Sequence, residues 1–118
     1  MRLTVRSKSF RLSQDMRERI QSRLAFALSR FNHRVRDVTT ILTDVNGPKG
    51  GVDKRCRLVV RLRSKGEVTI EQSASDYTAA IGQAADRIGY NVSRTLKRRR
   101  DAKFARAGLS PRMNDGAY

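Results

Sequence analysis

Lys54-Arg55-Cys56-Arg57-Leu58-Val59-Val60-Arg61-Leu62-Arg63 divides its side chains into two sets by position. Cys56, Leu58, Val60 and Leu62 take every second place, with Arg55, Arg57, Val59, Arg61 and Arg63 between them. An extended chain, whose side chains point alternately to opposite faces, separates these sets; a helix would mix them. One face of this strand is apolar and needs cover, and the other carries arginine. Ser64-Lys65-Gly66-Glu67 reads as a hairpin turn, after which Val68, Ile70, Gln72 and Ala74 alternate along a partner strand at 68–75. Across that hairpin the arginines can pair with Glu67 or Glu71.

Working outward, residues 35–45 are rich in Val, Thr and Ile and suit a third strand. Residues 2–7, with Leu3 and Val5 alternating with polar neighbours, suit a fourth. Between these two, Ser13 offers an N-cap and Asp15 an acidic first turn. Met16, Ile20, Leu24, Ala27, Leu28 and Phe31 then recur at helical spacing, predicting a helix that ends near Asn32. A second helix is predicted from about Asp76, with Tyr77, Ile81, Ala84, Ile88, Val92 and Leu96 on one stripe. Gly82 and Gly89 inside it each cost about 1 kcal/mol against Ala, so packing must hold it. Asn46-Gly47-Pro48-Lys49-Gly50-Gly51 reads as a hairpin connection. The order β-α-β-β-β-α gives an α+β fold, a four-stranded sheet with two helices packed on one face. One domain over residues 1–104 and a flexible tail over 105–118 are expected.

The chain has 26 Lys and Arg against 11 Asp and Glu, a formal charge of +15. Self-repulsion of that size is relieved by a polyanion, and nucleic acid is the obvious one. A membrane surface is a poor alternative, because no Trp is present and the cations are spread over strands and loops as well as helices. The N-terminus lacks the apolar run of a leader or a membrane span, and Cys56 is the only cysteine, so a reducing, cytoplasmic setting is expected.

Catalytic signatures are missing. His33 is the only histidine, and among Arg30, Arg34 and Arg36 it reads as an exposed residue rather than a base or a ligand. Cys56 reads as a small buried hydrophobe. Asp44-Val45-Asn46-Gly47 begins like a calcium loop but fails at Lys49, where glycine is required. No enzyme activity, cofactor, metal or small-molecule substrate is expected.

The basic rows carry more information. On the first helix Arg19, Arg23, Phe26 and Arg30 stack along one flank of the apolar stripe. On the second, Arg87, Arg94 and Arg98 share a flank with Asn91, and Tyr90 lies beside them. Residues 87–106 hold eight cations against Asp101 alone, where a merely solvated surface would mix signs. Lys97, Arg98, Arg99, Arg100 and Lys103 begin about where the sheet ends and are expected to project as a basic spike, suited also to the negative helix end. Single-strand readers stack bases on sheet aromatics, which the arginine face of 55–63 lacks, and a helix-turn-helix needs a third helix. Recognition of folded RNA through its phosphates is left. The RNA-binding candidates are Arg19, Arg23, Arg30, Arg87, Arg94, Lys97, Arg98, Arg99 and Arg100, with Arg55, Arg57, Arg61 and Arg63 on the opposite sheet face.

The element order, the Ser13-capped helix and Asp76-Tyr77-Thr78-Ala79-Ala80-Ile81 followed by Asp86-Arg87-Ile88 resemble the ribosome hibernation-promoting factors, including the ribosome-associated inhibitor of translation. The run Asp44-Val45-Asn46-Gly47-Pro48, then Gly50-Gly51 and Asp53-Lys54-Arg55-Cys56, is similar to a short-chain subgroup. The likeness covers about residues 1–103. It implies a fold like the double-stranded RNA-binding domain, and binding to small-subunit rRNA in the messenger channel, where messenger and transfer RNA would be excluded and translation inhibited during dormancy. Arg87 and Arg94 fall on the family's usual basic positions, whereas Thr78 stands at a usual Tyr and Gly82 at a usual Asp. Long members add a dimerising domain that this chain stops short of, so a monomer is expected when free. Two other readings stay open, a generic double-stranded RNA-binding module and a protein-binding modulator of a sigma factor. If about six to eight phosphates are neutralised, log affinity for rRNA falls with log salt at a slope of roughly −4 to −7. Filter binding across a salt series measures it, and a slope near zero contradicts the electrostatic reading.

Overall fold

The computed structural model describes residues 1–8, 10–44, 54–106 and 108. The elements are β1 (Arg2–Lys8), α1 (Gln14–Ala27), β2 (Val35–Asp44), β3 (Lys54–Leu62), β4 (Glu67–Ala74) and α2 (Tyr77–Arg106), with a 3₁₀ turn at Ser29–Phe31. The sheet has four strands in the order β1-β2-β3-β4. β1 and β2 run parallel, since α1 carries the chain back across the sheet between them. β2–β3 and β3–β4 are antiparallel. The fold is therefore the expected α+β arrangement, with a mixed sheet. Residues 46–51 and the expected tail beyond Arg106, Gly108 excepted, lie outside the described residues.

Local chemistry starts both helices. Ser13 Oγ accepts from the Met16 amide at 3.1 Å, and an Asp76 carboxylate oxygen accepts from the Ala79 amide at 2.7 Å, so each helix has a side-chain N-cap. The first helix stops earlier than predicted. Its α-helical part ends at Ala27 and a 3₁₀ turn follows. Ser29 Oγ donates to the Phe26 carbonyl at 3.1 Å, offering that backbone a partner outside the helix. Leu28 and Phe31, three residues apart, stay buried through the tighter turn.

The core lies between one sheet face and the two helices. Cys56, Leu58, Val60 and Leu62 are buried with Val5, Val38, Leu42 and Ile70. Against them pack Ile20 and Leu24 from α1 and Ala80, Ile81, Ala84, Ile88, Val92 and Leu96 from α2. Each large aliphatic side chain buried here stabilises by about 1.5–3 kcal/mol, an upper bound. On the open sheet face Arg55 and Arg61 take the cross-strand partners expected of them. Arg55 Nε lies 3.6 Å from Glu71 and Arg61 Nε 4.0 Å from Glu67. These pairs are half exposed, so each contributes at most about 1 kcal/mol.

Helix α2 has 30 residues and is about 45 Å long, against about 30 Å for the nine residues of β3. Its last buried residue is Leu96, so the remaining turns overhang the sheet. Its two internal glycines have different surroundings. A Cβ at Gly82 would meet nothing within 4 Å, whereas one at Gly89 would lie 3.2 Å from the Ala27 carbonyl oxygen, where the helices cross closely. Gly82→Ala is expected to stabilise by about 1 kcal/mol, the helix-propensity gain. Gly89→Ala is expected to give no gain or a loss, because the helices must part. Urea denaturation of both variants tests this; equal gains would contradict the close crossing.

Candidate nucleic-acid interface

The arginines of the helices fall into three groups. The first lies at the seam between α1 and α2. Arg23 bridges the seam to Asp86 at 3.0 Å, and Arg19 pairs along its own helix with Asp15 at 3.2 Å. Phe26 stands 76% exposed beside them. The second group lies on the other flank of α2, above β4. Arg87 NH1 donates to the Glu71 carbonyl and to Gln72 Oε1, both at 2.8 Å. Arg94 and Arg98 border a shallow recess with Asn91, Thr95 and Val68 of β4. The Arg94 guanidinium also sits 5.6 Å from the centre of the exposed Tyr90 ring.

The third group gathers where α2 overhangs. Arg99 NH1 donates to Ser64 Oγ at 3.0 Å and to the Lys65 carbonyl at 2.6 Å. Arg100 is half buried, 3.8 Å from Asp101. Arg30, from the turn after α1, lies over the Phe31 ring at 4.8 Å and lines a cleft with Arg99 and Arg100. Lys97 is half buried and Arg98 exposed. The basic run is thus divided: Arg99 folds back on the β3–β4 turn, and the run does not project whole as a solvent spike. The same cleft includes Arg34 and Lys65, which spacing along a helix could not reveal, because they come from a loop and a turn.

Charge differs between the two faces. On the open sheet face Arg2, Arg6, Lys8, Arg55, Arg57 and Arg61 mix with Asp37, Glu67 and Glu71. Around the α2 overhang the cations Arg99, Arg100, Lys103 and Arg106 surround one described carboxylate on that helix, Asp101. Elsewhere little chemistry is available. Burial pushes the Cys56 thiol up to about 12, which keeps it protonated and unreactive near neutral pH. His33 is exposed in the turn after α1. Among the described residues no three His, Cys, Asp or Glu side chains converge on a metal-sized site, and no helix is long and apolar enough to cross a membrane.

Solved structures share this fold. The Thermus thermophilus Protein Y N-terminal domain aligns with a TM-score of 0.66 at 24% identity, over 80% of this chain and 99% of that one. A ribosomal subunit interface protein from Coxiella burnetii aligns with a TM-score of 0.68 at 13% identity, over 82% of this chain and 99% of that one. At such identities the likeness is one of fold. No curated protein matches significantly. The sequence model of the family described as Sigma 54 modulation protein / S30EA ribosomal protein matches residues 3–100. The chain, matched over most of its length, belongs to that ribosome-associated family, the hibernation-promoting factors that its residues resemble.

Proposed function

We propose that the protein is a non-enzymatic, cytoplasmic factor that binds small-subunit rRNA in the decoding and messenger channel, keeping messenger and transfer RNA out and inhibiting translation. One observation carries the RNA reading: eight cations over residues 87–106 stand against Asp101 alone, on a helix that overhangs its own sheet. A surface of one sign repels itself and gains most from a polyanion. Family membership supports the ribosome as the source of that polyanion. Of the candidates, Arg30, Arg94, Arg98 and Arg99 are assigned to phosphate, since each guanidinium offers a planar fork to an anion. Arg23, Arg87 and Arg99 have protein partners that RNA would have to share.

The function is tested by sedimentation and by cell-free translation with the order of addition varied. The protein is expected to travel with small subunits at low salt and to leave them as salt rises. It is expected to inhibit strongly when added before initiation and weakly when added to elongating ribosomes. Equal inhibition of both argues against occupancy of the channel. Binding to free duplex RNA as tight as to subunits favours the generic double-stranded module, and salt-insensitive capture of polymerase components favours the sigma-factor reading.

A further inference from the structure

The apolar stripe that seats α2 does not end with the core; it changes chemistry. Ile88, Val92 and Leu96 are buried against the sheet, and the same side of the helix then continues as Arg99, Lys103 and Arg106. The underside of the overhang is therefore cationic. Opposite it stand the β3–β4 turn and the segment after α1. Together these border a cleft of about 820 Å³ whose cations are Arg30, Arg34, Lys65, Arg99, Arg100, Lys103 and Arg106, and among the described residues no carboxylate lines it.

The turn is shaped for this approach. Gly66 has φ +88°, a conformation that favours glycine, and a Cβ there would lie 2.5 Å from an Arg99 guanidinium nitrogen, so any side chain at this position would push the end of Arg99 aside. Lys65 holds φ 92°, a conformation that glycine tolerates and lysine resists. The turn thus keeps a strained lysine at the mouth of the cleft. Arg30, Arg34, Lys65, Lys103 and Arg106 have no carboxylate partner among the described residues. Cations converging from three chain segments repel one another until an anion enters.

We propose that this cleft is a binding site for closely spaced phosphates, such as a tripolyphosphate group or the backbone of a sharply folded RNA strand. Several guanidinium forks on different walls suit phosphate oxygens that point in several directions. The site is concave, which favours a compact cluster of charge over the flat side of a duplex. Only the RNA source rests on the function proposed above; the anion preference stands on the cleft itself.

The probe is inorganic tripolyphosphate, titrated into the full chain and followed by backbone amide shifts, with orthophosphate at matched ionic strength as the control. Saturable shifts are expected at Lys65, Gly66 and Arg99, with orthophosphate weaker by roughly tenfold or more. Lys65→Gly relaxes the turn, so its melting temperature should not fall, while its tripolyphosphate affinity should drop about tenfold. Unchanged affinity in that variant, or shifts spread evenly over the open sheet face, overturns the site. A polyglutamate peptide that binds as tightly as tripolyphosphate overturns the phosphate assignment. If the cleft serves RNA, tripolyphosphate displaces small subunits and Lys65→Gly sediments with them less. If both leave sedimentation unchanged, the cleft is a separate small-anion site. Wild-type protein that binds tripolyphosphate but no subunit retains the cleft and removes the ribosomal reading.

Discussion

Helix α2 rests on β3 and β4 through a stripe in which Ala80, Ala84, Ala85 and Gly89 alternate with Ile81, Ile88 and Val92, all buried. Small residues let the helix axis come close to the sheet, and the larger ones fill the spaces between Leu58, Val60 and Ile70. Everything at the basic end depends on this seat. A helix with two internal glycines has weak intrinsic helicity, so the packing keeps it straight across the sheet and projects its last turns beyond. The close crossing of Gly89 over the Ala27 carbonyl then fixes α1 alongside. With both helices fixed, the turn after α1 and the β3–β4 turn arrive beneath the overhang.

The distribution of charge follows from that geometry. Where strands pair, arginines meet carboxylates across the ladder, as Arg61 meets Asp37 and Glu67, and the open sheet face carries both signs. The edges are closed by side chains. Arg17 and Gln21 from α1 donate to the Val5 and Leu3 carbonyls of β1, and Arg87 from α2 donates to Glu71 of β4. Such contacts blunt the tendency of exposed strand edges to pair with other chains. Some arginines are therefore engaged in holding the fold. Arg30, Arg34, Lys65, Lys103 and Arg106 gather at one end with no carboxylate partner among the described residues, whereas the open sheet face mixes the two signs.

Much of this was legible in the sequence. The alternation through Cys56, Leu58, Val60 and Leu62 gave the strand, its buried face and the side from which helices must cover it. Ser13 marked a helix start because capping is local chemistry. The 3₁₀ turn at Ser29–Phe31 was not legible, since Leu28 and Phe31 satisfy α-helical and 3₁₀ spacing alike. Arg87, Arg94 and Arg98 were correctly grouped on one flank of α2, but spacing cannot say which flank meets α1. That depends on sheet order, which puts them above β4, away from Arg23. The contact of Arg99 with Ser64 and Lys65 joins positions far apart in the chain, and no periodicity reports such a contact.

The central claim is that the helix side, and not the equally arginine-bearing sheet face, docks RNA. Two triple variants test it with the same change of net charge: Arg30, Arg94 and Arg98 to Glu, and Arg2, Arg6 and Arg57 to Glu. None of these six arginines has a carboxylate partner among the described residues, so neither set breaks an ion pair, and circular dichroism establishes that both fold. The measurement is the affinity of each for small ribosomal subunits at one stated salt concentration. If the helix side docks, the first variant loses far more affinity than the second, because direct phosphate contacts become repulsions while the long-range field changes equally. Equal losses, or a greater loss from the sheet variant, would contradict the account.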